Sequence, residues 1–142
     1  MATAGADAVV RLWDVRHLGK AMHKLVWRDG GKLPVPNTCL SWAPFDGGLL
    51  AAGSAAGRVL IWDLCAIGAQ RPAADAREAP PECIFVHGGH VGDNVSGAAW
   101  CADTPWLLAS SACVTAARGG PPTSGELHFW QPAAALRPPA EC

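Results

Sequence analysis

Three stretches of this chain end alike, and that likeness limits what it can fold into. They are Val9-Val10-Arg11-Leu12-Trp13-Asp14, Arg58-Val59-Leu60-Ile61-Trp62-Asp63 and Glu126-Leu127-His128-Phe129-Trp130-Gln131. Each is a short β-rich run closing on Trp, twice followed by Asp. Two of them are preceded by a matching pair of elements. Leu40-Ser41-Trp42-Ala43-Pro44 leads to Leu49–Ser54, and Ala98-Ala99-Trp100-Cys101-Ala102 leads to Trp106–Ser111. The opening Met1–Gly5 fits the second element of such a pair. Trp42 to Trp62 spans 20 residues and Trp100 to Trp130 spans 30. The excess of ten coincides with the Gly/Pro-rich stretch Thr115–Ser124, which reads as an inserted loop.

A strand triplet repeated with Trp-Asp at its end is the mark of a propeller blade, a unit that buries its faces only against neighbouring blades. With outer strands near Met22–Trp27 and Glu82–His87, about ten strands are expected. The fold class is therefore all-β: an incomplete WD-repeat β-propeller, about two and a half blades of four-stranded antiparallel sheet. Residues 1–35 form a partial blade with its outer strand. Residues 36–90 form a complete blade carrying a loop at 69–82. Residues 91–132 form the last blade, with the insertion at 115–124 and no outer strand, and 133–142 are a flexible tail. A closed ring needs about four to eight blades, so the chain reads as a C-terminal fragment. At the end of each third strand, a large flat ring seals one blade to the next. All seven Trp residues are assigned to the core.

Composition agrees with many short strands. Sixteen Gly and twelve Pro punctuate 142 residues, half of which are hydrophobic. The formal net charge of −1 points neither to nucleic acid nor to an anionic membrane. Residues 1–32 hold six basic and three acidic groups, +3, and residues 33–142 hold five and nine, −4. No apolar stretch approaches the roughly 20 residues of a membrane-spanning helix. The six cysteines include no CxxC pair, so free thiols are expected.

The motifs that follow carry a closer resemblance. Val59–Gly68, then Asp75–Glu82, then Ile84–His90 resemble, in order, the WDLxxIG, the acidic loop ending in GPPE and the LFIHGGH run of the retinoblastoma-binding, or chromatin-assembly-factor small-subunit, family of histone chaperones. Ala102–Ser110 is similar to that family's NxxxPWVICS, and Leu12–His23 to its LWDLRNL segment. The Gly-rich insertion is similar to plant members. The resemblance implies that a helix of a core histone docks between an N-terminal helix and the acidic double-proline loop. Carried over residue by residue, Asp75 and Glu78 match acids of that loop, Pro80 and Pro81 its rigid end, and Phe85 and Val86 the apolar pair beneath the groove. Carboxylates on a stiff loop attract Arg and Lys of a basic helix, while Phe and Val receive its apolar face. Arg77 stands where the family has an acid, and no N-terminal helix precedes the first repeat. Pro36 and Thr38 replace an acid and a Phe of the family's second, top-face histone-tail site, and the Glu-Asp before Glu126 is missing, so that site is not expected. The function implied is a histone-binding, non-enzymatic scaffold subunit of chromatin-assembly or chromatin-modifying complexes, in the nucleus and also the cytoplasm. A generic interaction fragment with no retained activity is one alternative.

Other constellations are weaker. Asp7 with Trp13-Asp14-Val15-Arg16 resembles the WDxR box that docks some propellers on the adaptor of cullin-based ubiquitin ligases, a second alternative function. Arg16 also reads simply as a solvated turn residue. Trp13, Asp14, Trp62, Asp63, His90 and Trp130 are the structural residues of the repeat, His90 as the His of a Gly-His dipeptide that anchors a strand turn. The preceding repeat has no such dipeptide near Lys32, and Ala56 replaces its turn acid. His87 and His90 have no Cys or acid at a supporting spacing, so no metal or other cofactor is expected. No nucleophile elbow or phosphate loop is present.

Overall fold

A computed structural model describes residues 1–29, 33–70, 79–91, 94–115 and 122–132. Twelve strands lie among them. The first sheet pairs β1 (Ala2–Thr3), β2 (Val9–Leu12) and β3 (His23–Val26) in that order. A short antiparallel pair, β4 (Arg28–Asp29) and β5 (Leu33–Pro34), leads to the second sheet. That sheet has four strands in sequence order: β6 (Asn37–Trp42), β7 (Leu49–Ser54), β8 (Val59–Asp63) and β9 (Cys83–His87). The third contains β10 (Asn94–Trp100), β11 (Leu108–Thr115) and β12 (Pro122–Trp130). Every pairing is antiparallel between sequence neighbours, as in the blades of a propeller. The architecture is an incomplete β-propeller.

Two apolar cores lie between successive sheets. The first joins Val10, Leu12, Leu25 and Trp27 to Leu50, Ala52, Leu60, Trp62 and Cys83. The second joins Ala43, Leu49, Ala51, Val59 and Ile61 to Val95 and Leu108. Strands β7 and β8 supply both, because successive side chains alternate between faces and both faces of this middle blade are covered. Buried residues therefore run unbroken along β7. Gly53 belongs to this close approach: a Cβ there would stand 2.5 Å from Cys39 Sγ and 2.7 Å from Val95 Cγ1. Cross-blade hydrogen bonds add to the contact, from Trp100 Nε1 to the Ser41 carbonyl (3.0 Å) and from Asn37 N to the Gly5 carbonyl (3.2 Å).

Three expectations need correction. The stretch 115–124 is not all loop. Thr115 pairs with Pro122 and Val114 with Ser124, so the insertion lengthens the β11–β12 hairpin. Ladder pairing overrides the turn-like composition there, and residues 116–121 lie outside the described residues. Not every Trp is a core residue: Trp62 is fully buried, but Trp42 is 38% exposed at the end of β6. Nor are all thiols free. Cys39, Cys101 and Cys113 are, while Cys65 is disulfide-bonded.

Candidate functional site: the outer edge of the middle blade

Strand β9 is the edge strand of the middle blade, and four residues singled out for a docking surface, Pro80, Pro81, Phe85 and Val86, lie just before it or in it. Upstream, Pro80 to Cys83 forms a tight turn in which Cys83 N donates to the Pro80 carbonyl at 2.9 Å. Two prolines in a row fix φ and make the approach to that turn stiff. Glu82 anchors it twice. Its carbonyl accepts from Asp63 N at 2.8 Å, and its buried carboxylate lies 3.7 Å from His23 Nε2 on the first blade. The turn is thus held against the seam between two blades, with Pro80 and Pro81 partly exposed. Asp75 and Glu78 lie outside the described residues.

Phe85 and Val86 share the strand but not a face. Phe85 pairs with Ile61 and stacks on Trp130 at 5.8 Å on the third-blade side. Val86 pairs with Leu60, on the first-blade side, and is 37% exposed. Consecutive strand residues point to opposite faces. A partner touching both must therefore lie along the edge of β9 rather than on one face of the sheet.

The WDxR segment is an exposed turn. Arg16 donates from Nε and Nη2 to the two oxygens of Asp14, both at 3.0 Å, and Arg16 N donates to Asp14 Oδ1 at 2.9 Å. The guanidinium hydrogen bond holds the Asp14 carboxyl below its ordinary pKa, and Asp14 in turn raises that of Arg16. Asp7 pairs separately with Arg11 at 2.6 Å, which lowers the Asp7 pKa. The box's Arg is engaged within its own turn, as a solvated turn residue is.

The third-strand Trp residues reveal a network that differs from blade to blade. In the last blade Trp130 Nε1 donates to Ser110 Oγ at 2.9 Å, and Ser110 Oγ lies 2.7 Å from His90 Nε2. His90 Nδ1 lies 3.3 Å from Glu126 Oε2, which also accepts from Val91 N at 3.0 Å. The donor order Trp, Ser, His, Glu assigns the His90 proton to Nδ1, and every member is satisfied. Burial lowers the His90 pKa, opposed by the hydrogen bond to Glu126. In the first blade, Trp13 Nε1 reaches Thr3 Oγ1 at 2.8 Å. In the middle blade the corresponding position on the second strand is Ala52, and the buried Trp62 Nε1 has no hydrogen-bond partner among the described residues.

Sequence reasoning missed two participants here. Glu126 fills the acidic role from within β12, a role that the sequence reading had not assigned to it. Ala52 was not recognised as the gap, although its offset from Leu50 equals that of Ser110 from Leu108. An unpartnered buried N–H carries a desolvation penalty of about 1–3 kcal/mol. Ala52→Ser is accordingly expected to raise stability by roughly 0.5–1.5 kcal/mol, read as a higher midpoint in urea at unchanged slope. A lower midpoint would mean that the hydroxyl does not fit.

Comparison with known proteins agrees with this architecture. The family model described as "WD domain, G-beta repeat" matches residues 29–63 and 81–114. The chain is 29% identical over 119 residues to histone acetyltransferase type B subunit 2 of Debaryomyces hansenii, covering 79% of this chain and 27% of that protein. The protein of the same name in Candida glabrata is 27% identical over 110 residues, 78% of this chain and 25% of its own length. The RbAp48-related WD40 repeat-containing protein prw1 of Schizosaccharomyces pombe is 38% identical over 112 residues, 79% of this chain and 25% of that protein. The chain spans about a quarter of the length of the curated relatives it matches. The chain thus carries WD40 repeats, and its relatives include proteins of the RbAp48 type.

Proposed function

We propose that this chain is a histone-binding scaffold segment of chromatin-assembly or chromatin-modifying complexes and acts in the nucleus. The observation that carries the reading is the Pro80–Cys83 turn at the seam of two blades, held there by buried Glu82 beside His23. A stiff, anchored turn next to an edge strand suits a basic helix laid along β9. Val86 offers an apolar contact at that edge, and the acidic loop immediately upstream supplies charge. The names of the relatives support the same reading, since two are subunits of a histone-modifying enzyme.

Charge-assisted hydrogen bonds are worth roughly 1.5–3 kcal/mol each when well formed. The double variant Asp75→Ala/Glu78→Ala is expected to lose core-histone binding by roughly tenfold or more, about 1.4 kcal/mol. A pull-down of core histones by the wild-type protein and the double variant, at matched salt, measures it. Equal retention of histone by both would remove the acidic loop from the mechanism.

A further inference from the structure

His87, His90 and His128 converge where the middle and last blades meet, their ligand-capable atoms all within 4.8 Å of one another. His87 ends β9, and His128 lies near the end of β12. The three are not equivalent. His90 is buried, and both its nitrogens are already occupied by Ser110 and Glu126. Its ring also stacks on His128 at 4.1 Å with planes only 7° apart. A metal lies close to the plane of each imidazole that binds it, and two stacked parallel planes share no such point. His90 is therefore a wall of the cluster and not a donor.

The other two rings are oriented differently. His87 and His128 are nearly perpendicular, at 88°. His87 Nε2 and His128 Nδ1 face each other at 3.5 Å. That distance is long for an N–H···N hydrogen bond. It is close to the ~3.4 Å that separates two nitrogens bound to one tetrahedral zinc ion at about 2.0–2.1 Å each. Each ring is braced. His87 stacks on Trp130 at 4.2 Å and 5°, and His128 stacks on His90. Gly88 and Gly89 are exposed beside them, so the pair opens to solvent. A Cβ at Gly89 would stand 2.8 Å from His87 Cε1, so the bare backbone there is part of how the ring is seated. Arg58, whose Nη1 donates to the Gly88 carbonyl at 3.4 Å, is the nearby charge opposing a cation.

We propose that His87 Nε2 and His128 Nδ1 form a two-histidine site for a late first-row divalent ion such as Zn²⁺, with water completing its coordination. Imidazole nitrogen suits zinc, copper and nickel rather than the hard cations magnesium and calcium. A bound ion would replace a poor hydrogen bond by two coordinate bonds and tie β9 of one blade to β12 of the next.

The test uses zinc alone and the full chain. Equilibrium dialysis counts bound ion whatever the association state. Wild type is expected to hold one zinc that His87→Gln and His128→Gln each weaken by roughly tenfold or more, at least what loss of a supporting outer-shell group costs. His17→Gln, on the exposed turn of the first blade, is expected to bind as wild type does. X-ray absorption on the wild-type zinc complex is independent of how the variants fold. It should report two imidazoles with oxygen and no sulfur, although the chain has six cysteines. Absence of zinc binding, unchanged affinity in either site variant, or sulfur in the coordination shell would overturn the proposal.

Discussion

Replacing Trp62 by Ala is expected to cost about 3–5 kcal/mol, the range for deleting a large buried aromatic. The ring is fully buried in the core between the first two blades, among Val10, Leu12, Leu25 and Trp27 on one side and Leu50 and Leu60 on the other. Nothing beside it can collapse into the space without parting two sheets. Against a total stability of about 5–15 kcal/mol for an ordinary domain, that is a large share of the folding free energy. Trp62→Phe is the informative contrast. It keeps most of the apolar contact and removes the unpartnered Nε1–H, so part of its packing loss is recovered. Its cost should be well under half that of Ala. Thermal midpoints compared at one fixed protein concentration would show it. Equal costs for Phe and Ala would mean that the ring does not act as the seal between blades.

The second large effect concerns association. On β12 the side chains of Glu126, His128 and Trp130 turn toward the middle blade, and Leu127 and Phe129 turn away, 61% and 71% exposed. Among the described residues β12 pairs with β11 alone, which leaves a strand edge beside an apolar face. Such edges and patches recruit further copies. Residues 1–142 expressed alone are expected to self-associate, with sedimentation velocity showing species larger than monomer that grow with concentration. Burying each of the two side chains is worth roughly 1.5–3 kcal/mol, so Leu127→Glu/Phe129→Glu should return the chain to monomer. A sharp monomer at every concentration of wild type would contradict this account of the exposed face.

The blades were legible because two signals coincide in the sequence. The unbroken apolar run of β8, and Trp at the same offset in β8 and β12, identify strands that must pair and faces that must both be covered. The hairpin extension at Thr115 and Pro122 was not legible, since Gly and Pro there signal a turn and only pairing with β11 shows otherwise. The His87–His128 pair was hidden for a different reason. Its members are 41 residues apart and meet only when two blades stack, and no local spacing encodes that contact. The placement of Phe85 and Val86 on opposite faces follows from strand geometry alone and could have been anticipated. Trp42 was misjudged because its position at the end of β6 puts it at the rim of a blade. There the ring, Met1, Trp13, Met22, Leu64 and Ile67 line an open cleft instead of a core.

Amide hydrogen exchange with and without added core histone shows whether a basic histone helix docks along the outer edge of the middle blade. Added protection is expected at residues 79–87, from the anchored Pro80–Cys83 turn through β9. Strand β11 should be unchanged. Protection confined to other strands, or no change at 79–87 under conditions where histone is bound, would contradict it.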